Sequence, residues 1–334
     1  LVKIFKLMFF SFLMIGTLIA VSSYSWLSMW IGLEINLLSL IPLLSDSKNF
    51  YPSEAALKYF ITQALASAVI LFSIVTSLNM KELYFLESGS MLMIMLNSSV
   101  LTKMGAAPFH AWFPEVMEGL NWSNSLIMLT WQKIAPMVIL MYNIDMTMFL
   151  ASIIILSSII GSLLGLNQIS LRKIMAYSSI NHIGWMISSM LGSSSIWLVY
   201  FMVYSVITVN IVIMFYSLNS FYLKQLFNSM NKNKLIKLFF IFNFLSLGGL
   251  PPFLGFFPKW LTVNSLVNKE FFTLSLILIL STLITLFFYL RITFSTMVIN
   301  SNESTLPETK INKFNIIVSN FIALAGLALC TLMF

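Results

Sequence analysis

The chain has 334 residues, of which 59% are hydrophobic and only 9% are charged, and its mean hydropathy is +0.94. Soluble domains carry about 25% charged residues, so this composition excludes a globular protein with a single anchor and indicates an integral membrane protein. The single cysteine, Cys330, excludes a disulfide framework within the chain, and the net charge of +7, spread over short loops, favours a membrane-orientation signal over nucleic-acid binding.

Eleven apolar segments are long enough to cross a bilayer, which takes roughly 20 residues. The first segment follows Lys3 and Lys6 and ends near residues 20–22 (Ala-Val-Ser), so it also has the pattern of a secretory signal peptide. We favour a membrane span because this segment has a counterpart in the repeat described below. The predicted spans are 3–21, 24–44, 54–78, 90–120, 122–143, 148–167, 172–191, 194–219, 235–267, 271–297 and 314–334.

The fourth and ninth spans are about 30 residues long, which is too long for one straight crossing. Both contain the pattern Pro-Phe-x-x-aromatic-Phe-Pro, once at 108–114 and again at 252–258, an offset of 144 residues. Because proline interrupts a helix, we expect each of these spans to consist of two half-helices. A duplicated broken helix within apolar sequence indicates the binding or transport site of a membrane transporter.

The same offset places the first five spans close to the next five. Because five crossings are an odd number, the second set enters from the opposite side of the membrane, which makes an inverted repeat. The predicted fold class is an all-α polytopic membrane protein with eleven transmembrane helices in a single membrane domain. It comprises a first five-helix repeat over 3–143, an inverted second repeat over 148–297 and an extra C-terminal helix over 314–334.

Basic residues are distributed unequally between the two predicted faces of the membrane domain. Thirteen, Lys58 among them, fall on the side of the N-terminus, and only Lys81 and Lys269 fall on the other. This positive-inside bias predicts that the N-terminus faces the basic side and that the C-terminus faces the opposite side. Three lysines cannot be placed in any loop and are therefore candidate intramembrane groups. They are Lys103, Lys133 and Lys259.

Four ionisable residues lie inside predicted spans, namely these three lysines and Glu34. A charge at the centre of a bilayer costs about 2.5–3.5 kcal/mol on insertion scales, so these groups must pair with one another, contact water or be neutral. Each arrangement also serves a proton relay, since an amine that changes its charge can pass on a proton when a neighbouring charge moves. The alternative is structural ion pairing between helices.

Prolines near these groups leave backbone carbonyls without a helical partner, because the carbonyl four residues before a proline loses its hydrogen bond. At membrane depth such carbonyls need another donor, and we expect water or an ammonium group to bind them. The freed carbonyls are predicted at Gln132, Met104, Leu247 and Gly248, from Pro136, Pro108, Pro251 and Pro252 respectively.

The two histidines, His110 and His182, are too far apart in sequence for a metal-ligand motif, and no glycine-rich nucleotide-binding motif is present, so we expect no metal or cofactor in this chain. His110 lies in the first broken helix, where it either relays protons or holds the break by hydrogen bonding. For His182 a relay role and a packing role are both open. Asp46, Glu115 and Glu118 are interpreted as loop carboxylates.

Four short segments surround the candidate groups with a distinctive sequence. They are residues 30–36 (Trp-Ile-Gly-Leu-Glu-Ile-Asn), 103–110 (Lys-Met-Gly-Ala-Ala-Pro-Phe-His), 131–133 (Trp-Gln-Lys) and 248–253 (Gly-Gly-Leu-Pro-Pro-Phe). These segments, and with them essentially the whole chain, resemble the chain 2 family of mitochondrial NADH–ubiquinone oxidoreductases in its short animal form. Members of this family are antiporter-like membrane subunits of respiratory complex I.

The resemblance implies a proton-translocating subunit of NADH:ubiquinone reductase with no redox centre, NADH site or cofactor of its own. It implies the mitochondrial inner membrane, with the N-terminus in the matrix and the C-terminus in the intermembrane space. The implied partners are other membrane-arm subunits, including neighbouring antiporter-like subunits, together with accessory subunits and membrane lipids. It also implies that Glu34 and Lys103 form a coupling ion pair, that Lys133 is the central relay and that Lys259 is the terminal lysine. The alternatives are a stand-alone cation/proton antiporter subunit and a structural spacer of the membrane arm.

Overall fold

The computed structural model describes residues 2–45, 49–80, 86–230, 234–298 and 320. Within these ranges the regular secondary structure is helical, apart from an isolated antiparallel bridge between Ser170 and Tyr222, which confirms the all-α prediction. A 3₁₀ turn lies over Trp131–Lys133. The α-helices are α1 (Val2–Ser22), α2 (Trp26–Leu44), α3 (Phe50–Met80), α4 (Leu86–Met104), α5 (Trp112–Gly119), α6 (Trp122–Leu129), α7 (Ile134–Met141), α8 (Thr147–Gly165), α9 (Leu171–Gly192), α10 (Ser194–Leu218), α11 (Leu223–Met230), α12 (Lys234–Gly248), α13 (Phe256–Asn268) and α14 (Phe272–Val298).

Seven helical stretches of the described chain are long and apolar enough to cross a membrane: α1, α2, α3, the α6–α7 stretch, α8, α10 and α14. The α4–α5 and α12–α13 segments are absent from this set because a break divides each of them into shorter helices. Helix α9 is long enough, with 22 residues, but serines, Asn181 and His182 make it too polar. The predicted span 314–334 lies outside the described residues, apart from Asn320. The chain is therefore an all-helical protein with several membrane-spanning helices.

The helices cluster into two compact units, residues 1–153 and 154–334. In the first unit α1 lies along α2, and α3 packs against α2, α4 and α5. The approach of α1 to α2 is close: a Cβ atom on Gly32 would lie 2.6 Å from the backbone nitrogen of Ala20. Small residues at such a crossing allow tight packing of helices within lipid. This packing fixes the position of α2, which carries Glu34.

In the second unit α9 packs against α10, α13 and α14. Because 18 of its 22 residues are buried, the polar side chains of α9 face protein on almost all sides. Polar groups at membrane depth are tolerated where neighbouring helices can satisfy their hydrogen bonds. Helix α9 therefore carries His182 into the interior of this unit.

Two of the three carboxylates interpreted as loop residues lie in a helix. Glu115 and Glu118 are in α5, which begins directly after the first break, while Asp46 is outside the described residues. Lys58, counted above among the basic residues of one face, lies in α3 and forms ion pairs with Glu54 at 3.2 Å and Glu115 at 3.0 Å. The exposed pair with Glu115 connects α5 to α3 at the protein surface.

The predicted span 122–143 is not one regular helix. Helix α6 ends at Leu129, the 3₁₀ turn follows, and α7 begins at Ile134. Pro136 lies in the first turn of α7, where its missing N–H and its ring keep a regular helix from running through Gln132. The irregular backbone next to Lys133 is the consequence.

Candidate functional site

The first helix break separates α4 from α5. Gly105 follows α4 with a φ of +76°, a backbone conformation that glycine adopts without steric cost. Two of the last carbonyls of α4 accept hydrogen bonds from neutral side chains. Trp112 Nε1 donates to Thr102 at 3.0 Å, and Gln63 Nε2 donates to Lys103 at 3.4 Å. Neither is the Met104 carbonyl, for which we expected water or an ammonium group, so that expectation stays a prediction.

Lys103 is only 7% exposed at the end of α4 and interacts electrostatically with Glu34 of α2. No ion pair within 4.0 Å joins Glu34 to Lys103, both of which belong to the described part of the chain. The coupling ion pair that the resemblance implies for Glu34 and Lys103 therefore stays a prediction. Helix α3 packs against both α2 and α4 and brings Tyr59 within electrostatic reach of Glu34. One carboxylate oxygen, Glu34 Oε1, is buried and accepts no hydrogen bond from the described part of the chain.

Lys133 is 1% exposed at the junction between the 3₁₀ turn and α7. Its Nζ lies 5.7 Å from the centroid of the Phe113 ring, which belongs to α5 just after the first break, so the two are within cation–π range. The adjacent Gln132 donates from Nε2 to Asn36 Oδ1 at 2.8 Å, and Asn36 lies two residues after Glu34 on α2. The first unit therefore brings α2, the first break and Lys133 together.

The second helix break lies between α12 and α13, and Gly249 occupies it with a φ of +80°. Lys259 is 9% exposed, and its Nζ donates to the carbonyl oxygens of Gly248 at 2.9 Å and Leu247 at 3.3 Å. This confirms the expectation that a lysine amine binds the carbonyls freed by the two prolines of the break. A Cβ atom on residue 249 would lie 2.8 Å from Lys259 Cδ, so glycine also leaves room for the lysine side chain.

The two breaks share several structural features at positions 144 residues apart, although the Ala107–Pro108 peptide bond of the first is cis and the equivalent bond before Pro252 is not. By this match Glu115, and not Lys103, occupies the position of Lys259. A buried amine at the second break thus corresponds to an exposed, ion-paired carboxylate at the first. The matching features are the helix ends Met104 and Gly248, the helix starts Trp112 and Phe256, and the positive-φ glycines Gly105 and Gly249.

The two histidines have different surroundings. His110 is half-buried, and its Nδ1 lies 3.2 Å from the carbonyl oxygen of Pro108. Because a carbonyl can only accept, this nitrogen donates the bond, and the geometry favours the structural alternative for His110. His182 is 6% exposed on α9, and its Nδ1 lies 2.9 Å from the hydroxyl of Tyr200 on α10. His182 therefore belongs to a buried polar contact between two helices.

A cavity of about 10 Å³, close to the room that one water molecule needs, is lined by His182 and by residues of the second break. Leu247, whose carbonyl binds Lys259, is among the lining residues, as is Tyr200. Trp185 connects the same groups: its ring stacks on Tyr200 with centroids 6.5 Å apart and lies 5.9 Å from Lys259 Nζ. The second unit therefore brings His182 and Lys259 to one place.

Several residues of these sites were not identified from the sequence. Tyr59, Tyr200 and the side chain of Gln132 lie in spans where aromatic and amide residues are common, and only their buried contacts distinguish them. A polar residue on a helix that other helices surround, such as α9, would have been a signal for buried contacts of this kind. Within the described ranges there is no group of three or more His, Cys, Asp or Glu residues that could hold a metal ion.

Comparison with known proteins identifies similar families. The family model for the transmembrane part of NADH:quinone oxidoreductase and the Mrp antiporter matches residues 23–285. NADH-ubiquinone oxidoreductase chain 2 of Anopheles gambiae is 48% identical over 99% of this chain and 98% of its own length. The chain of that name from Locusta migratoria is 48% identical over 92% of this chain and 90% of its own length.

Two solved structures share the fold. A chain of respiratory complex I from Thermus thermophilus, with bound aureothin, matches 94% of this chain and 75% of its own length, with a TM-score of 0.85 and 24% identity. A chain of the Mrp complex from Dietzia sp. DQ12-45-1b matches 96% of this chain and 74% of its own length, with a TM-score of 0.78 and 12% identity.

Proposed function

The chain belongs to the NADH:quinone oxidoreductase/Mrp antiporter transmembrane family, and from this premise we propose that it is the antiporter-like, proton-translocating subunit in the membrane arm of NADH:ubiquinone oxidoreductase. It works as a multi-pass protein of the mitochondrial inner membrane. It couples NADH oxidation and quinone reduction in other subunits to proton movement across that membrane. Its partners are the other membrane-arm subunits, including neighbouring antiporter-like subunits.

The observation that carries this proposal is the buried amine of Lys259 on the carbonyls of a broken helix. Within a membrane, a buried amine and unpaired carbonyls are each costly, so their contact stabilises both. The contact is stronger when the amine is charged, because charge-assisted hydrogen bonds are the stronger kind. A lysine in this position can therefore be charged or neutral according to the charges around it, as a proton carrier must be.

The proposed relay uses Glu34, Lys103 and Lys133 in the first unit and Lys259 in the second. A change in the separation of Glu34 and Lys103 alters the proton affinity of Lys103, because a nearby opposite charge stabilises the charged amine. Lys133, beside the first break, passes this disturbance on, and Lys259 releases a proton. The separation of more than 4.0 Å between Glu34 and Lys103 corresponds to one state of this cycle.

The proposed architecture has eleven transmembrane helices, with inverted repeats over 3–143 and 148–297 and a further helix over 314–334. The matching breaks, 144 residues apart, support a repeat. The unequal distribution of basic residues supports an N-terminus in the matrix and a C-terminus in the intermembrane space.

The test is Lys103→Met in the assembled complex, reconstituted in sealed vesicles. We expect the rate of NADH-driven proton pumping to fall at least about tenfold, because positioned acid–base groups contribute 10² or more to proton transfer. Lys58→Met is the matched control, since it removes an exposed lysine from the same unit. The amount of this chain in the isolated complex shows whether each variant assembles.

Three results would contradict or redirect the proposal. Normal proton stoichiometry in both Lys103→Met and Lys259→Met would favour a structural spacer. Isolation of the chain from membranes without NADH dehydrogenase partners would favour a stand-alone cation/proton antiporter subunit. An equal loss of pumping in the Lys58→Met control would show that the readout reports assembly and not the relay.

A further inference from the structure

A hydrogen bond between His182 and Tyr200 lies in the interior of the second unit. The two side chains come from neighbouring helices, α9 and α10, and they are 6% and 1% exposed. The distance from His182 Nδ1 to the Tyr200 hydroxyl is 2.9 Å. The bond therefore joins a group that can change its charge to one that is shielded from bulk water.

The phenol hydroxyl suits this position because it can both donate and accept. Toward a neutral imidazole whose Nδ1 carries no proton, the hydroxyl donates; toward an imidazolium, it turns and accepts from Nδ1–H. A carbonyl could serve only the protonated nitrogen, and an ammonium group only the unprotonated one. Tyr200 can thus bind His182 before and after a proton transfer without moving the ring.

The surroundings of Tyr200 keep that hydroxyl in place. Its ring stacks on Trp185 with an interplanar angle of 15° and a centroid distance of 6.5 Å. Trp185 is itself 1% exposed and lies 5.9 Å from Lys259 Nζ. The groups that hold Tyr200 are therefore also neighbours of the amine at the second break.

We propose that Tyr200 is a positioning residue for His182: it holds Nδ1 in both charge states, so that the imidazole exchanges its proton at Nε2 beside the cavity of the second break. This inference rests on the proposed proton-translocating function and adds a residue to it. His182 and Leu247 both line that cavity, and the Leu247 carbonyl accepts a hydrogen bond from Lys259. The cavity therefore adjoins both His182 and the residue whose carbonyl holds Lys259.

The titratable groups around His182 come from three packed elements. Helix α10 supplies Tyr200 and Tyr204, the latter with its ring 5.1 Å from the imidazole. Helix α14 supplies Tyr289, which interacts electrostatically with Tyr200. Helix α13 supplies Lys259, which reaches the cavity wall through Leu247. A change at Tyr200 alone therefore leaves the other titratable neighbours of His182 in place.

The experiment compares Tyr200→Phe and Tyr204→Phe in the assembled complex by the pH dependence of NADH-driven proton pumping. Both variants remove one buried hydroxyl from α10: that of Tyr200 bonds to His182, and that of Tyr204 bonds to Ser179. In Tyr200→Phe the imidazolium loses its hydrogen-bond acceptor and the neutral imidazole loses its donor. The first loss is the larger, because charge-assisted hydrogen bonds are stronger, so the variant favours the neutral imidazole. We expect the pH midpoint of pumping to move to lower pH by more than about half a unit in Tyr200→Phe and to stay unchanged in Tyr204→Phe.

A double variant separates positioning from packing. If Tyr200 acts through His182, then Tyr200→Phe should have no further effect on pumping in a His182→Gln background, whereas a packing defect would add to it. Additive losses, or equal pH profiles for the two tyrosine variants, would overturn the role of Tyr200. If the role of Tyr200 is overturned while Lys259→Met remains inactive in pumping, the proposed function is unaffected. Full pumping by Lys259→Met would contradict the proposed function itself.

Discussion

Replacing Lys259 by methionine removes the amine that binds two carbonyls of the second break. Methionine has a similar length but cannot donate, so the carbonyls of Leu247 and Gly248 lose this partner. An unsatisfied buried polar group costs about 1–3 kcal/mol, so two of them should destabilise the second unit by about 2–6 kcal/mol. Methionine also removes the cost of burying an amine, and this gain offsets part of the loss. Proton pumping should fall at least about 100-fold, because the relay loses its terminal carrier.

Lys259→Arg separates the hydrogen-bonding role from the proton-carrying role. Arginine also presents N–H donors to the carbonyls, but it stays charged at physiological pH and cannot release a proton. We expect this variant to recover at least about half of the stability that the methionine variant loses, while its pumping stays equally low. Thermal unfolding of the isolated complex measures the stability, and proton uptake by sealed vesicles measures the pumping.

Two results would refute this reasoning. Wild-type pumping by Lys259→Arg would show that release of a proton from residue 259 is not needed. Equal thermal stability of the wild type and Lys259→Met would show that the two carbonyls do not depend on the amine.

Three further substitutions test individual contacts. Gly249→Ala should destabilise the second unit by at least about 1–2 kcal/mol in thermal unfolding, because a φ of +80° disfavours alanine and the new Cβ would meet Lys259; unchanged stability would contradict this. Gln132→Ala should slow pumping several-fold while costing less than about 1.5 kcal/mol, because it removes the bond to Asn36 that connects the Lys133 segment to α2. Wild-type pumping in that variant would mean that the bond transmits nothing. Lys58→Met should change stability by less than about 1 kcal/mol, since its ion pairs are exposed, and a larger loss would show that they hold α5 in place.

The helix breaks could be predicted from the sequence because their cause is local. Proline removes a backbone donor and blocks the regular helix wherever it lies, so the positions of Pro108 and Pro252 were sufficient. That the carbonyls of Leu247 and Gly248 bind water or an ammonium group followed from the same argument, and the structure shows that the amine is that of Lys259.

Other features depended on packing that the sequence does not encode locally. The distance between Glu34 and Lys103 could not be predicted from the sequence, because it depends on how α3 packs against α2 and α4. Likewise, the bond between His182 and Tyr200 joins residues on two helices whose relative rotation no periodicity specifies.

The short helix α11 was not predicted as a separate element. It has only eight residues, and its apolar face is made by Leu226 and Met230, which are buried, while Lys224 is exposed. A run this short has too few turns for an apolar stripe to stand out from a loop.

The most direct test of the central claim is an experimental density map of the assembled complex at a resolution that shows ordered water. If buried lysines carry protons, then the amines of Lys103, Lys133 and Lys259 should each contact ordered water or a titratable side chain inside the protein. Amines that point into lipid, or that lie dry and away from any proton-carrying group, would contradict the account.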